Sequence, residues 1–482
     1  MQLGLKIING IGWTLAGRQV QQFTTLITLA ILALYLRPAD FGLIGMLTVI
    51  SGFAMLICDT GFSAALIQNQ RLSHKHYSSV FWVNLLVGIV VFALCYLSSG
   101  FVADFYNAPE LIALMQALSF VFILIGTGTV PQALLRKEMK FKRLVIIESC
   151  SHVFTGLVVI YMALIGLGVW ALIVQIMLQQ AIKIVCIWLC VQWRPSVYFS
   201  YSKFKEVFDF SANVLGLKII YYCINNMDYI LIGRFLGPEI LGYYTLAYKI
   251  MFIPIRNICQ EINKVLFPAF SAIQSNNHLV LSLYLQSLKG TALIIMPMLL
   301  GMIAIAEEFV MVFFGEGWLQ AVGILQLLCV VGILQAIPSA SGTVFQSLGR
   351  AGFMLILSVV NATLLFSVLI TSVHFGIEAT IQSLIGYNFV WLFVLSYFLN
   401  RMILLKVSDM AGSLLYPVML SMIMFIGVMV IKKYFLFEQD IYMKLLLTII
   451  SGIAIYFFGL YFLYKRVGLK SILAGKNSSY KL

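Results

Sequence analysis

"GRQVQQFTTLITLAILALYLRPADFG", residues 17–42, has two halves of different character. The second half is apolar enough for a membrane span, whereas Arg18, Gln21 and Gln22 place a cation and two amides in the first half. Ionisable groups at membrane depth are costly, so they normally face the protein interior or a water-filled cavity. The stretch therefore predicts a first transmembrane helix with one polar face, followed by a tight hairpin at Pro38 and Gly42.

The rest of the chain is equally apolar. Its 482 residues are 62% hydrophobic and 10% charged, whereas a soluble domain carries about 25% charged residues. This composition predicts an all-α integral membrane protein. About fourteen apolar stretches are long enough to cross a bilayer; they are 9–36, 40–66, 79–99, 111–135, 144–166, 168–191, 208–236, 240–268, 288–313, 318–347, 352–373, 377–400, 411–431 and 442–464.

The basic residues gather in alternate loops, most densely after the fourth span at Arg136, Lys137, Lys140, Lys142 and Arg143. The positive-inside rule then places both termini in the cytoplasm. This topology accounts for the net charge of +13, and we expect no nucleic-acid binding because no soluble segment combines a basic patch with aromatic residues. The first helix is interpreted as retained, because no cleavage site follows a short apolar region.

An internal repeat connects the two halves of the chain. Residues 13–50 align with 213–250 without a gap, so that "LRPADFG" (36–42) meets "LGPEILG" (236–242) and Arg18 meets Lys218. "TVPQALLR" (129–136) likewise meets "TVFQSLGR" (343–350). Chance explains shared leucines between apolar helices, but it explains shared proline, glycine and cations poorly.

The repeat predicts two parallel six-helix halves around a central cavity, a known transporter arrangement. We predict an N-terminal half at 1–192 and a C-terminal half at 207–404. Two additional helices at 411–464 and a basic cytoplasmic tail at 465–482 follow them.

Polar side chains repeat at helical spacing within several spans. Arg18, Gln22 and Thr25 share one face of the first helix, and the face that aligns with it in the seventh carries Lys218, Tyr222 and Asn225. The predicted substrate-binding residues are these six together with a third group, on one face of the eighth helix: Lys249, Arg256 and Gln260.

Two interpretations of these residues compete. The cations either pair with Asp59 or Asp228 and fasten helices together, or they line an aqueous cavity that binds an anion. Clustering with amides and hydroxyls on single faces favours the cavity, since it suits a hydroxyl-rich ligand. Glu148 and Lys183 are interpreted as local partners outside the site.

No nucleotide-binding loop, metal cluster or nucleophile motif occurs, which argues against an enzyme and against an ATP-driven pump. We expect no cofactor and no metal, apart from a possible coupling proton or sodium ion. The candidate residues for that ion are Asp59 and Asp228.

A family resemblance rests on three stretches: "ALYLRPADFGLIGMLTVISGFAMLICDTGFSAALIQ" (33–68), "TVPQALLRKEMKF" (129–141) and "GRFLGPEILGYYTLAYKI" (233–250). They resemble the polysaccharide transporter family, the oligosaccharide flippases of the multidrug/oligosaccharidyl-lipid/polysaccharide exporter superfamily, also called lipopolysaccharide or capsule biosynthesis proteins. The resemblance also implies cavity cations on helices 1, 2, 7 and 8. Here helix 2 departs from that pattern, because it offers Asp59 instead of a cation.

The resemblance implies a multi-pass protein of the bacterial inner (plasma) membrane that moves undecaprenyl-pyrophosphate-linked oligosaccharide repeat units from the inner to the outer leaflet. Such transport, by alternating access, would serve the assembly of O-antigen, capsule or exopolysaccharide. The implied partners are the lipid-linked oligosaccharide, membrane lipid, and a polysaccharide polymerase with its assembly proteins. The alternatives are a cation-coupled drug antiporter of the same superfamily and a non-transporting scaffold of a polysaccharide assembly complex.

Overall fold

A computed structural model describes residues 2–59, 66–67, 72–200, 222–223, 225–436 and 439–467, without the side chains of 2–11, 15, 59, 464, 466 and 467. Every regular element in these residues is a helix. The helices group into two compact units, Met1–Gly242 and Tyr243–Leu482.

The described residues of the first unit form seven helices and the beginning of an eighth. They are α1 (Gln2–Tyr35), α2 (Pro38–Asp59), α3 (His74–Leu97), α4 (Ser99–Tyr106), α5 (Leu111–Lys137), α6 (Phe141–Leu164), α7 (Val169–Cys190) and the start of α8 (Met227–Ala272). Helix α1 packs against α6, while α5 packs against α2, α3 and α7. A buried cluster that includes Val80, Phe81 and Val130 joins α3 to α5.

In the second unit, the part of the chain that the structure describes forms the rest of α8 and seven more helices. These are α9 (Asn277–Phe314), α10 (Gln320–Ala336), α11 (Ser341–Ser347), α12 (Ala351–Ser372), α13 (Ile377–Ile403), α14 (Val407–Tyr434) and α15 (Ile441–Val467). Helix α9 lies against α10, α14 and α15, and α13 packs on α10 and α12. Short 3₁₀ turns at Glu316–Trp318, Ile337–Ala340 and Val373–Phe375 connect consecutive helices.

Eleven helical stretches in the described residues are long and apolar enough to cross a membrane. They lie in α2, α3, α5, α6, α7, α9, the α10–α11 pair and α12 to α15. Helices α1 and α8 do not count among them, and both carry the polar residues predicted to form the site. The predicted all-α membrane fold is therefore confirmed, while most of the predicted span 208–236 lies outside the described residues.

The two copies of the repeated hairpin motif lie against each other within the first unit. A methyl group added at Gly42 would collide with the Pro238 carbonyl, and one added at Gly242 would collide with the Pro38 carbonyl. Both glycines lie inside helices, so their small size matters for this close backbone approach. The turn itself falls at Gly237, whose φ of 83° breaks α8 and is readily adopted only by glycine.

This reciprocal contact also explains where the compact units divide. The second hairpin packs on the first, so the chain up to Gly242 groups with the N-terminal helices. That division falls inside the predicted C-terminal half, and the predicted boundaries at 1–192, 207–404, 411–464 and 465–482 stay predictions.

Candidate functional site

Helix α1 carries the first group of predicted site residues. The helix is continuous from Gln2 to Tyr35, so Arg18, Gln22 and Thr25 share one face as the spacing predicted. Arg18 and Thr25 are exposed and Gln22 is half-buried. The Thr25 hydroxyl donates to the Gln21 carbonyl at 2.8 Å, which leaves its oxygen lone pairs available as acceptors.

A close approach of α1 to α6 positions this face. A methyl group at Gly17 would collide with Val145 and would lie 3.3 Å from the Ser149 hydroxyl. Further along the same pair of helices, a methyl group at Gly156 would lie 2.9 Å from the Thr28 hydroxyl. Glycines on both helices thus let α1 run along α6 at short range, and Arg18 follows the first contact directly.

A polar cluster joins α5, α6 and α7 in the same unit. The Lys183 ammonium lies 3.6 Å from the Glu148 carboxylate, and the Gln132 amide donates to the same carboxylate oxygen at 3.4 Å. The interpretation of Glu148 and Lys183 as local partners therefore agrees with the structure. Gln132 was missed by sequence reasoning, although its place in the repeated Thr-Val-x-Gln motif is a signal that could have found it.

Tyr222 docks on α2. Its hydroxyl donates to the Val49 and Thr48 carbonyls at 2.7 and 3.1 Å, and a methyl group at Gly52 would collide with it. Its ring lies 6.3 Å from that of Phe53. The side chain fastens the segment before α8 onto α2, so any ligand contact would involve the ring edge or the remaining hydroxyl lone pairs.

Of the other predicted residues in or near the seventh span and at the end of the second, the structure describes the side chains of two. Asn225 is exposed in the turn before α8, and Asp228 is half-buried in the first turn of that helix. Lys218 lies outside the described residues. Asp59 ends α2, and its side chain is likewise outside them.

Helix α8 carries the third group in the second unit. Lys249, Arg256 and Gln260 are all exposed, and their spacing places them on one face of this helix. Neither Lys249 nor Arg256 has an ion pair with a carboxylate of the described residues. The next cation on this face, Lys264, is instead paired with Glu261 at 2.6 Å.

Aromatic rings run beside this polar stripe. Tyr244, Tyr248 and Phe252 follow each other at four-residue spacing, with ring centroids 5.8 and 5.5 Å apart and nearly parallel planes. Tyr244 is fully buried, whereas Tyr248 and Phe252 are half-buried, so only the latter two rings keep accessible surface. Sequence reasoning did not select these residues, although their helical spacing was visible.

Near the hairpin at 236–242, Tyr106 is the last residue of the short helix α4. Its ring edge lies within 3.0 Å of where a methyl group at Gly233 would be. Burial, and to a lesser extent nearby Tyr222, raises the pKa of the Tyr106 phenol to about 12. This side chain therefore stays neutral and serves packing around the hairpin.

The site geometry is thus two polar helix faces, one in each unit. The profile of the family described as "Polysaccharide biosynthesis protein" matches residues 31–323, more than half of the chain. The chain belongs to this family. That agrees with the resemblance drawn from the hairpin motif.

Individual relatives support this assignment along the whole sequence. The chain is 31% identical to the teichuronic acid biosynthesis protein TuaB of Bacillus subtilis over 98% of this chain and 99% of that protein. It is 29% identical to the lipopolysaccharide biosynthesis protein WzxC of Escherichia coli over 73% of this chain and 72% of that protein.

Among solved structures, the inward closed conformation of the lipid II flippase MurJ matches with a TM-score of 0.76 and 13% identity. The match covers 95% of this chain and 99% of MurJ. The inward-facing conformation of a multidrug resistance MATE family transporter of the MOP superfamily matches with a TM-score of 0.61 and 16% identity, over 80% of this chain and 94% of that one. At these identities the likeness establishes the fold.

Proposed function

We propose that this protein is a flippase for a polyprenyl-diphosphate-linked oligosaccharide, specifically an undecaprenyl-pyrophosphate-linked repeat unit of a surface polysaccharide. It would move this substrate from the inner to the outer leaflet of the bacterial plasma membrane by alternating access, with both termini in the cytoplasm. Family membership and the polysaccharide-biosynthesis relatives support the pathway.

The observation that carries the proposal is the exposed stripe of Lys249, Arg256 and Gln260 on α8. Two cations without carboxylate partners in the described part of a largely apolar chain need water or an anionic ligand to offset their desolvation. A diphosphate has the charge and the acceptor oxygens for this task, and arginine binds phosphate oxygens in a bidentate manner.

Each group of residues then has a role. On α8, Lys249 and Arg256 would bind the diphosphate, and on α1 Arg18 would be a separate cationic contact for the substrate. Gln22, Thr25 and Gln260 would hydrogen-bond sugar hydroxyls, and the half-buried rings of Tyr248 and Phe252 would face sugar rings. The polyprenyl tail would remain in the lipid.

Two parts of the proposal concern energy and partners. A proton or sodium ion bound at Asp59 or Asp228 would drive transport, as expected from the sequence. A polysaccharide polymerase and its assembly proteins would receive the product at the outer face.

A matched pair of variants on one helix tests the assignment. Arg256→Gln removes a cation of the stripe that has no carboxylate partner in the described residues. Lys264→Gln, about two turns further along the helix, removes a cation that is already paired with Glu261. Loss of one charge-assisted contact weakens binding by about ten- to a hundred-fold. We therefore expect Arg256→Gln, like Arg18→Ala, to reduce surface polysaccharide strongly at unchanged expression, while Lys264→Gln leaves export near normal.

The readout separates the competing functions. In a flippase-deficient strain, lipid-linked oligosaccharide should accumulate in the inner leaflet. A scaffold would leave its leaflet distribution unchanged, and a drug antiporter would alter drug sensitivity instead. Normal export by both Arg256→Gln and Arg18→Ala would remove these cations from the substrate site.

A further inference from the structure

One end of the first unit carries a connected cluster of aromatic rings where α3 begins and α5 and α7 end. Trp193 lies at its centre, with ring centroids 6.2 Å from Trp188, 5.9 Å from Phe81 and 6.5 Å from Tyr77. We call these four residues the Trp193 cluster. Since three spanning helices begin or end here, the cluster lies at the depth of a membrane–water interface, where tryptophan and tyrosine are enriched.

Three cations make cation–π contacts with aromatic rings in or beside the Trp193 cluster. Lys137 lies 5.5 Å from the Tyr77 ring centroid and Arg194 lies 5.4 Å from that of Trp188. Lys75 lies 5.0 Å from the ring of Tyr198. Lys75 and Arg194 have no ion pair with a carboxylate in the described part of the chain, so their charge is not neutralised there.

A strap formed by residues 191–200 holds the cations in place. The Trp82 indole donates to the Ser196 carbonyl at 2.8 Å, and the Ser196 and Ser200 amides each donate at 3.1 Å to the buried hydroxyls of Ser78 and Ser79. These bonds pin an otherwise irregular segment across the start of α3. The arrangement is therefore a built surface with fixed positions for its charges.

The strap also presents apolar side chains away from the protein. Val197 is 97% exposed and Phe199 is 55% exposed. Apolar side chains beside cations at interfacial depth suit the boundary between lipid headgroups and acyl chains. Exposure of these apolar side chains to water is unfavourable, whereas contact with a lipid leaflet would bury them.

We propose that the Trp193 cluster, with Lys75, Lys137 and Arg194, binds the headgroup of an anionic phospholipid in the adjoining leaflet. The three cations complement the phosphate, the rings support the cations, and Val197 and Phe199 insert beside the acyl chains. Basic pockets between transmembrane helices are known to bind anionic headgroups. The site shares no residue with the polar faces of α1 and α8.

The experiment compares two triple variants of equal charge change. Full-length protein in detergent, stripped of lipid, is titrated with phosphatidylglycerol or phosphatidylcholine, and bound lipid is counted by native mass spectrometry. The test variant combines Lys75→Gln, Lys137→Gln and Arg194→Gln. The control variant removes three exposed cations at helix ends of the second unit: Arg350→Gln, Arg401→Gln and Lys406→Gln.

A lysine or arginine near an anionic headgroup contributes about five-fold to the affinity, so the three cations that we assign to one headgroup together contribute about a hundred-fold. The control cations lie at the ends of three different helices and are not assigned to a common headgroup. We expect the test variant to lose phosphatidylglycerol binding by that factor, while the control variant and phosphatidylcholine binding change little. Equal losses in both variants, or no loss in either, overturn the proposal. Displacement of phosphatidylglycerol by inorganic pyrophosphate would also overturn it, because the site would then recognise a soluble diphosphate.

Single variants keep the test decisive if the triple variant does not fold. Arg194→Gln changes an exposed side chain and should weaken binding about five-fold. Val197→Ser together with Phe199→Ser keeps every cation, so it should weaken both phospholipids through lost apolar contact. If Arg194→Gln does not weaken phosphatidylglycerol binding and the Val197→Ser, Phe199→Ser double variant weakens neither phospholipid, the assigned surface is contradicted.

Discussion

Replacing Gly42 by alanine should destabilise the protein, even though alanine is the better helix former. The added methyl group would fall on the Pro238 carbonyl, which belongs to a backbone that cannot rotate away as a side chain would. Overpacking of this kind costs about 1–3 kcal/mol, and the gain in helix propensity returns about 0.5–1 kcal/mol. Because the clash is with a backbone carbonyl, the cost lies near the upper end of its range, and we expect a net loss of about 2 kcal/mol.

Gly386 in α13 provides the matched control. A methyl group there would meet nothing within 4 Å, so Gly386→Ala should be neutral or slightly stabilising. Thermal unfolding of the purified proteins, followed by tryptophan fluorescence in one detergent, compares the two. A midpoint for Gly42→Ala equal to that of Gly386→Ala would refute the close backbone contact.

The reciprocal geometry allows a sharper version of this test. Gly242→Ala should cost about as much as Gly42→Ala, because its methyl group would meet the Pro38 carbonyl. Once one substitution has separated the two hairpins, the second meets less resistance. The double variant should therefore be less destabilised than the sum of the single variants, and strict additivity would argue for two independent contacts.

Two contacts of the last two helices with α9 give further predictions. Glu308 is 2% exposed, and its carboxylate contacts the ammonium groups of Lys432 on α14 at 2.7 Å and Lys444 on α15 at 3.3 Å. Glu308→Gln should lower the free energy of unfolding by about 2–4 kcal/mol, whereas Glu307→Gln, at an exposed neighbour, should not. Equal unfolding midpoints of the two variants would count against the charge cluster. The Tyr456 hydroxyl donates at 2.6 Å to the Leu293 carbonyl, which lacks its helical donor because a proline lies four residues later. Tyr456→Phe should therefore cost about 1–2 kcal/mol, in contrast to the exposed Tyr461→Phe, and indistinguishable denaturation curves would contradict this role.

Much of the fold was predictable because membrane spans depend on composition over about twenty residues. The long apolar runs predicted α2, α3, α5 and other spans, although some ends were misplaced: α9 begins at Asn277, whereas the span was predicted from 288. The same reasoning found the polar faces of α1 and α8, since helical periodicity decides which residues share a face. For that reason Arg256 and Gln260 could be placed on one stripe from their spacing alone.

Other features were beyond this kind of reasoning because they depend on contacts between distant segments. Tyr222 looked like a ligand-binding residue, but its hydroxyl is bonded to α2 more than 170 positions away in the sequence. Gly42 looked like a turn residue, whereas the structure shows a glycine inside a helix that allows two backbones to touch. The strap at 191–200 had no periodic signal at all, because hydrogen bonds to buried serines hold it.

The sequence by itself determined the class of the protein, its helices and the repetition of its hairpin, because hydropathy and helical spacing are local properties. Tertiary structure alone decided that the two hairpin copies pack on each other and that, within the described residues, Lys264 is paired with a carboxylate while Arg256 is not. Packing brings together groups from separate helices, and a periodic pattern along one helix carries no information about the partner on the next.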